Sequence, residues 1–194
     1  MRTTKELKRA FFLLIFMLIA VGCSSDDESH EVQEYLFAVH YEIAAWIPKS
    51  VGLVINRKGN VSLYDLSTVN GQTYASLVTI KTEDELSAVF EKNYIWKEQI
   101  NADTLRNYQD KILMISDDTL GEAQSVCADA GRYEYVVFHY NETTGEYTGV
   151  PVYQAGDWMI ENSSDDAIAV KNWLIELALK YEIAYEFGGV CTGL

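Results

Sequence analysis

Two segments of this chain place β-forming runs on either side of turn residues, and each reads as a β-hairpin. Val51 to Ile55 is a β-branched run, Asn56-Arg57-Lys58-Gly59-Asn60 supplies turn chemistry, and Val61-Ser62-Leu63-Tyr64 resumes the strand pattern. Tyr133 to Tyr140 is a second strand, Asn141 to Gly145 turns it, and Glu146 to Tyr153 returns. Pro151 has no N–H to give a ladder, so the return strand is expected to lie at an edge or to bulge there. Two such hairpins commit the chain to a mainly antiparallel sheet.

Helical signals fill the remaining lengths. Thr82-Glu83-Asp84-Glu85 is a capping box, with Leu86, Val89 and Phe90 as the apolar stripe of a helix expected to end near Asn93. Ser163 or Ser164 caps the last helix, and Asp165 and Asp166 complement its positive end. Ala167, Val170, Leu174, Leu177 and Tyr181 recur at helical spacing, with Trp173 beside them as core. Asn172, Glu176 and Lys180 fall on the wet side, Glu176 and Lys180 four apart as an ion pair. Ala102 to Gln109 is a further helical turn, while Leu77–Ile80 and Lys111–Ser116 read as short strands. Tyr35 to Trp46 fits both periods, and we read it as a helix that ends before Pro48. The expected fold is α+β: a mainly antiparallel sheet built from hairpins, packed by two or three helices including a long C-terminal helix.

The start of the chain has a different character. Arg2, Lys5, Lys8 and Arg9 precede an apolar run from Ala10 to Val21, and Ala20-Val21-Gly22-Cys23 closes it. This layout resembles the lipobox of bacterial lipoproteins, with Ala20 where the pattern usually carries Leu. The resemblance implies that Cys23 receives a diacylglyceryl group, that residues 1–22 are removed, and that Cys23 becomes the acylated N-terminus. A spanning helix needs about 20 apolar residues, more than Ala10 to Gly22 provides. No Ala-x-Ala site of an ordinary signal peptide lies nearby. Ser24-Ser25-Asp26-Asp27-Glu28 is similar to the tether of surface-exported lipoproteins of the Bacteroidota type. That similarity implies an outer-membrane protein, lipid-anchored and surface-exposed, with the periplasmic face as the alternative. Residues 23–32 then form a flexible acidic tether and residues 33–194 one globular domain.

Charge narrows the partners. The chain carries 15 Lys+Arg and 29 Asp+Glu; without Arg2, Lys5, Lys8, Arg9 and Glu6 these become 11 and 28, a formal charge of −17. Such a body repels nucleic-acid phosphates and anionic headgroups, which leaves the lipid at Cys23 as the membrane contact. With Cys23 acylated, Cys127 and Cys191 remain, and an extracytoplasmic pair reads as a disulfide. It would close a loop of about 64 residues and contribute on the order of 4 kcal/mol. The alternatives are two buried thiols or a redox pair, and neither cysteine lies in Cys-x-x-Cys.

Catalytic motifs are absent. His30, His40 and His139 form no metal-binding spacing, no segment has the alternating ligands of a calcium loop, and no nucleophile elbow or phosphate loop occurs. No metal or cofactor is expected. His139 reads as a half-buried sheet residue. Aromatic residues are the remaining handle: Tyr147, Tyr153 and Trp158 cluster around the second hairpin, where exposed rings would offer flat faces to a ligand. The expected function is a non-enzymatic binding module for a glycan, peptide or protein. A surface inhibitor or immunity protein against a toxin or protease is the alternative, and a small hydrolase ranks below both.

Overall fold

The structure, a computed structural model, describes residues 33–43, 48–67, 76–79 and 81–183. Its strands are β1 (Tyr35–Ile43), β2 (Lys49–Asn56), β3 (Asn60–Asp65), β4 (Lys81–Thr82), β5 (Ile95–Gln99), β6 (Gln124–Ser125), β7 (Arg132–Asn141), β8 (Glu146–Gly156) and β9 (Trp158–Glu161). They form one sheet in the order β5-β3-β2-β1-β7-β8-β9-β6, with β4 paired to β8, and every pairing is antiparallel. Three α-helices accompany them among the described residues: α1 (Glu83–Phe90), α2 (Ala102–Ile112) and α3 (Asp165–Lys180). The protein is α+β, as its hairpins and final helix indicate.

Both faces of the central strands are covered. On one face Phe37, Val39, Leu53, Val61, Tyr135 and Val137 pack against Leu105 and Ile112 of α2 and Val170, Trp173 and Leu174 of α3. Trp173 ties the layers together, stacked on Tyr108 at 4.1 Å between ring centroids and edge-on to Phe37 at 5.1 Å. On the other face Ala38, Val54, Tyr64, Val136 and Phe138 meet Leu86 and Phe90 of α1.

Double coverage explains where the sequence misleads. The segment read as a helix is strand β1, whose first seven residues are all buried. A strand buried on both sides loses its alternation, and its continuous apolar run then imitates a helical stripe. Trp46, the last residue of that stripe, lies outside the described residues. Lys111–Ser116 is also not a strand. Lys111 and Ile112 end α2, while Leu113 and Met114 are exposed in the turn beyond it. Leu77–Thr79 forms a turn, with Leu77 buried.

The local signals read from caps and turns are present in the fold. Thr82 Oγ1 accepts the Glu85 N–H while Glu85 accepts the Thr82 N–H, and α1 stops at Phe90 with a turn running on to Asn93. Ser164 caps α3 through the Ala167 N–H. Lys180 departs from expectation: it grips both carboxylate oxygens of Glu98 on β5, at 2.7 and 2.8 Å, rather than Glu176 on its own helix. Pro151 sits where the β7–β8 register slips, opposite Val136, and Tyr135 already faces Tyr153. Among the described residues the outer side of β8 is paired only near its two ends, by β4 and β9, and no ladder there meets the proline.

Candidate functional site

A row of polar residues runs across the sheet on the α1 face. Cross-strand pairing places Tyr64 beside Gly52, Gly52 beside His40, and His40 beside Glu134. Gly52 has no side chain, so the Tyr64 ring extends over it and sets its hydroxyl 2.9 Å from His40 Nδ1. Ser50 Oγ lies 3.4 Å from His40 Nε2. Glu134 is equally enclosed: it accepts from the Ser76 hydroxyl and the Leu77 N–H, and Arg132 Nε stands 3.5 Å away. Arg132 also reaches Glu42 at 3.3 Å.

A serine, an imidazole and a phenol in sequence invite a catalytic reading, which burial opposes. His40 has no exposed surface, and burial, followed by the nearby Arg132 charge, pushes its pKa down to about 3. A general base works best with a pKa near the operating pH. His40 is therefore a neutral joint holding β1 to β3. His139, the other described histidine, is half-buried and directs Nε2 at the Ile112 carbonyl, 2.9 Å away, which fixes β7 to the end of α2. Among the described residues no three His, Cys, Asp or Glu side chains gather as metal ligands would.

The aromatic residues singled out from the sequence do not share a surface. Tyr147 is wholly buried against Tyr35, Phe138 and Tyr140, its hydroxyl accepting the Glu34 N–H at 2.8 Å, and burial raises its pKa to about 12. It cannot meet a ligand, because it faces the α1 layer. Tyr153 is half-buried under Lys171, whose ammonium stands 5.5 Å from the ring centre; burial raises its pKa too. Trp158 alone is open, 52% exposed on β9. Cys23 and Cys191 lie outside the described residues. Cys127 follows β6 where the backbone of residues 126 and 127 bonds to the Asp157 carbonyl.

A better-formed recess opens at the other end of the sheet. A cleft of about 420 Å³ is floored by Val54, Asn56, Asn60 and Ser62 and walled by Phe90 and Tyr94. Glu34 and Glu91 add a carboxylate each. Glu34 is held by the Asn56 amide and Arg57 Nε, both at 3.0 Å. Tyr94 is 50% exposed, and Trp96, paired with Ser62 across β3–β5 and 55% exposed, stands on the same face. Open rings, side-chain amides and carboxylates can together stack on and hydrogen-bond a polyhydroxylated ligand. Sequence pattern barely marks this site. Its only signal was the run Tyr94-Ile95-Trp96, three β-formers between the turn at Asn93 and a charged stretch.

No helix of the described residues is long and apolar enough to cross a membrane. No protein-family model, curated protein or solved structure matches the chain.

Proposed function

We propose that this chain is a lipid-anchored envelope protein whose domain is a non-enzymatic glycan-binding module, seated in the cleft beside Tyr94 and Trp96. The observation that carries this reading is the exposed Tyr94 ring at a recess floored by Asn56, Asn60 and Ser62, with the exposed Trp96 paired to Ser62 across β3–β5. Large rings left half in water forgo on the order of 1 kcal/mol or more of burial each, which a stacking partner would recover. The amides beside them supply the donors and acceptors that orient hydroxyl groups. The neutral, enclosed state of His40 favours binding over hydrolysis.

The anchor is proposed from the lipobox-like start, with acylation at Cys23 and an acidic tether leading to the surface of the outer membrane. Cys127 and Cys191 are proposed as its disulfide. Cys23→Ala should abolish labelling by a palmitate analogue and release the protein from the membrane fraction. Labelling that persists in that variant would remove the anchor from the proposal. Protease shaving of intact cells separates the outward-facing arrangement from the periplasmic one.

Binding is tested on a panel of neutral bacterial and host glycans with the full-length chain in non-ionic detergent. Tyr94→Ala and Trp96→Ala should each weaken the bound glycan about tenfold, roughly the worth of one aromatic contact, with the melting temperature unchanged. Failure of every glycan to bind, or binding indifferent to both variants, would sink the reading.

A further inference from the structure

On the opposite side of the β2–β3 turn lies a second cleft, of about 500 Å³, between that turn and the beginning of α2. It shares no lining residue with the aromatic cleft. Three of its nine lining residues, Arg57, Lys58 and Arg106, are cations, and none is an acid. Beyond the leader-like segment the chain has only 11 basic residues against 28 acidic ones. Gathering three of the eleven at one recess, with every carboxylate excluded from its lining, runs strongly against the composition.

The acids nearby are committed elsewhere or stand off the cleft. Glu34 is taken by Arg57, and Glu98 by Lys180. Asp103 and Asp110, the acids of α2, do not line it. Lys58 and Arg106 form no ion pair among the described residues. Arg57 is neutralised by Glu34, so the net positive charge comes from Lys58 and Arg106.

The frame carrying these groups is fixed. Asn56 Oδ1 accepts the N–H groups of Lys58 and Asn60, at 3.1 and 3.0 Å. Gly59 takes the left-handed conformation, φ +76°, that closes the turn, and its carbonyl accepts the Ile100 N–H at 2.8 Å. Gln99 Nε2 donates to the Lys58 carbonyl at 3.0 Å. Asn101 already caps the Asp103 N–H. The cations of the recess therefore carry the argument, not the helix end.

We infer that this cleft binds a single oxyanion group, a carboxylate, sulfate or phosphate, borne on a small ligand. The guanidinium of Arg106 offers a planar fork matched to such a group, and the Lys58 ammonium a point charge. A long polyanion is disfavoured, because beyond the recess it meets the −17 body. A compact anion lies within a Debye length, about 8 Å at physiological salt, of the local cations.

The test is calorimetric titration of the full-length chain in non-ionic detergent with inorganic phosphate, sulfate and galacturonate. Saturable binding of at least one is expected. Tighter binding of phosphate or sulfate assigns the group to an ester, and tighter binding of galacturonate to a sugar acid. Lys58→Ala with Arg106→Ala should lower the affinity at least about tenfold, as loss of charge-assisted hydrogen bonds requires. Arg106→Gln alone should lower it less, and Trp96→Ala should leave it unchanged. Because both replaced side chains are exposed, the melting temperature should hold. The inference is overturned if none of the three anions binds saturably, or if the double variant binds them as tightly as the parent.

Discussion

Gly52→Ala should destabilise the domain by about 3 to 5 kcal/mol, read as a fall in the urea midpoint. A Cβ at this position would stand 2.3 Å from the Tyr64 ring and hydroxyl and 2.4 Å from the Val39 carbonyl oxygen. Such separations are far inside contact distance, so the ring or the β1–β2 pairing must move. Moving the ring breaks the bond between its hydroxyl and His40 Nδ1 and leaves a buried polar atom unmet. Overpacking contributes about 1 to 3 kcal/mol and the loss of the Tyr64 partner at His40 Nδ1 a similar amount. Tyr64→Phe isolates the second part, keeping the ring and losing only the hydroxyl, and should cost about 1 to 3 kcal/mol. Tyr64→Ala should not fully rescue Gly52→Ala, because the Val39 carbonyl is backbone. A Gly52→Ala protein within about 0.5 kcal/mol of the parent would mean that the ring does not lie over this residue.

The same residues show why so little of the site was legible beforehand. Turn and cap signals act over a few residues, so the β2–β3 and β7–β8 hairpins, the Thr82–Glu85 box and the Ser164 cap could be read from neighbours alone. The polar row joins positions 24 and 94 apart in sequence, Tyr64 with His40 and His40 with Glu134, and no local pattern announces it. β1 imitates a helix in sequence because α1 and α3 bury both its sides. β5 and β9 escape notice for the opposite reason: short strands with mostly exposed or half-exposed side chains carry little hydrophobic periodicity.

Tyr147 failed as a ligand residue in the same way. Its apparent partners on the hairpin lie next to it in sequence, but the pleat and the bulge at Pro151 separate their surroundings. Tyr147 turns into the α1 layer while Tyr153 lies beneath Lys171. Turn chemistry and caps thus predicted where elements begin, whereas coverage of the sheet decided which aromatic residues stayed in water. Tyr94 and Trp96 stayed there because β5 ends the sheet order and α1 stops short at Phe90.

Acidification from pH 7 to pH 5 should remove about 2 kcal/mol of stability through His40 alone. Its folded pKa of about 3 lies below its ordinary value of 6.5 because burial, then Arg132, disfavours the imidazolium. The folded state therefore keeps His40 neutral while the unfolded chain takes up a proton below pH 6.5. The stabilisation is complete above that pH, and falls by up to about 1.4 kcal/mol per unit as the pH drops towards the folded value. Among the described residues Arg132 repels the imidazolium directly, while Glu134 is engaged by Ser76, Leu77 and Arg132, and Glu42 by Arg132. Glu85 and Glu98 have lowered pKa values, through the Thr82 N–H and the Lys180 ammonium respectively, so their contributions fade only below about pH 4.5. His40→Gln cannot take up the proton and still offers a donor and an acceptor to Tyr64 and Ser50. Urea unfolding of parent and variant from pH 7 to pH 5 should give converging curves, the parent losing its advantage as the pH falls. Parallel curves over that range would show that His40 is not held neutral by burial, and the row beside Gly52 would then need a charged member.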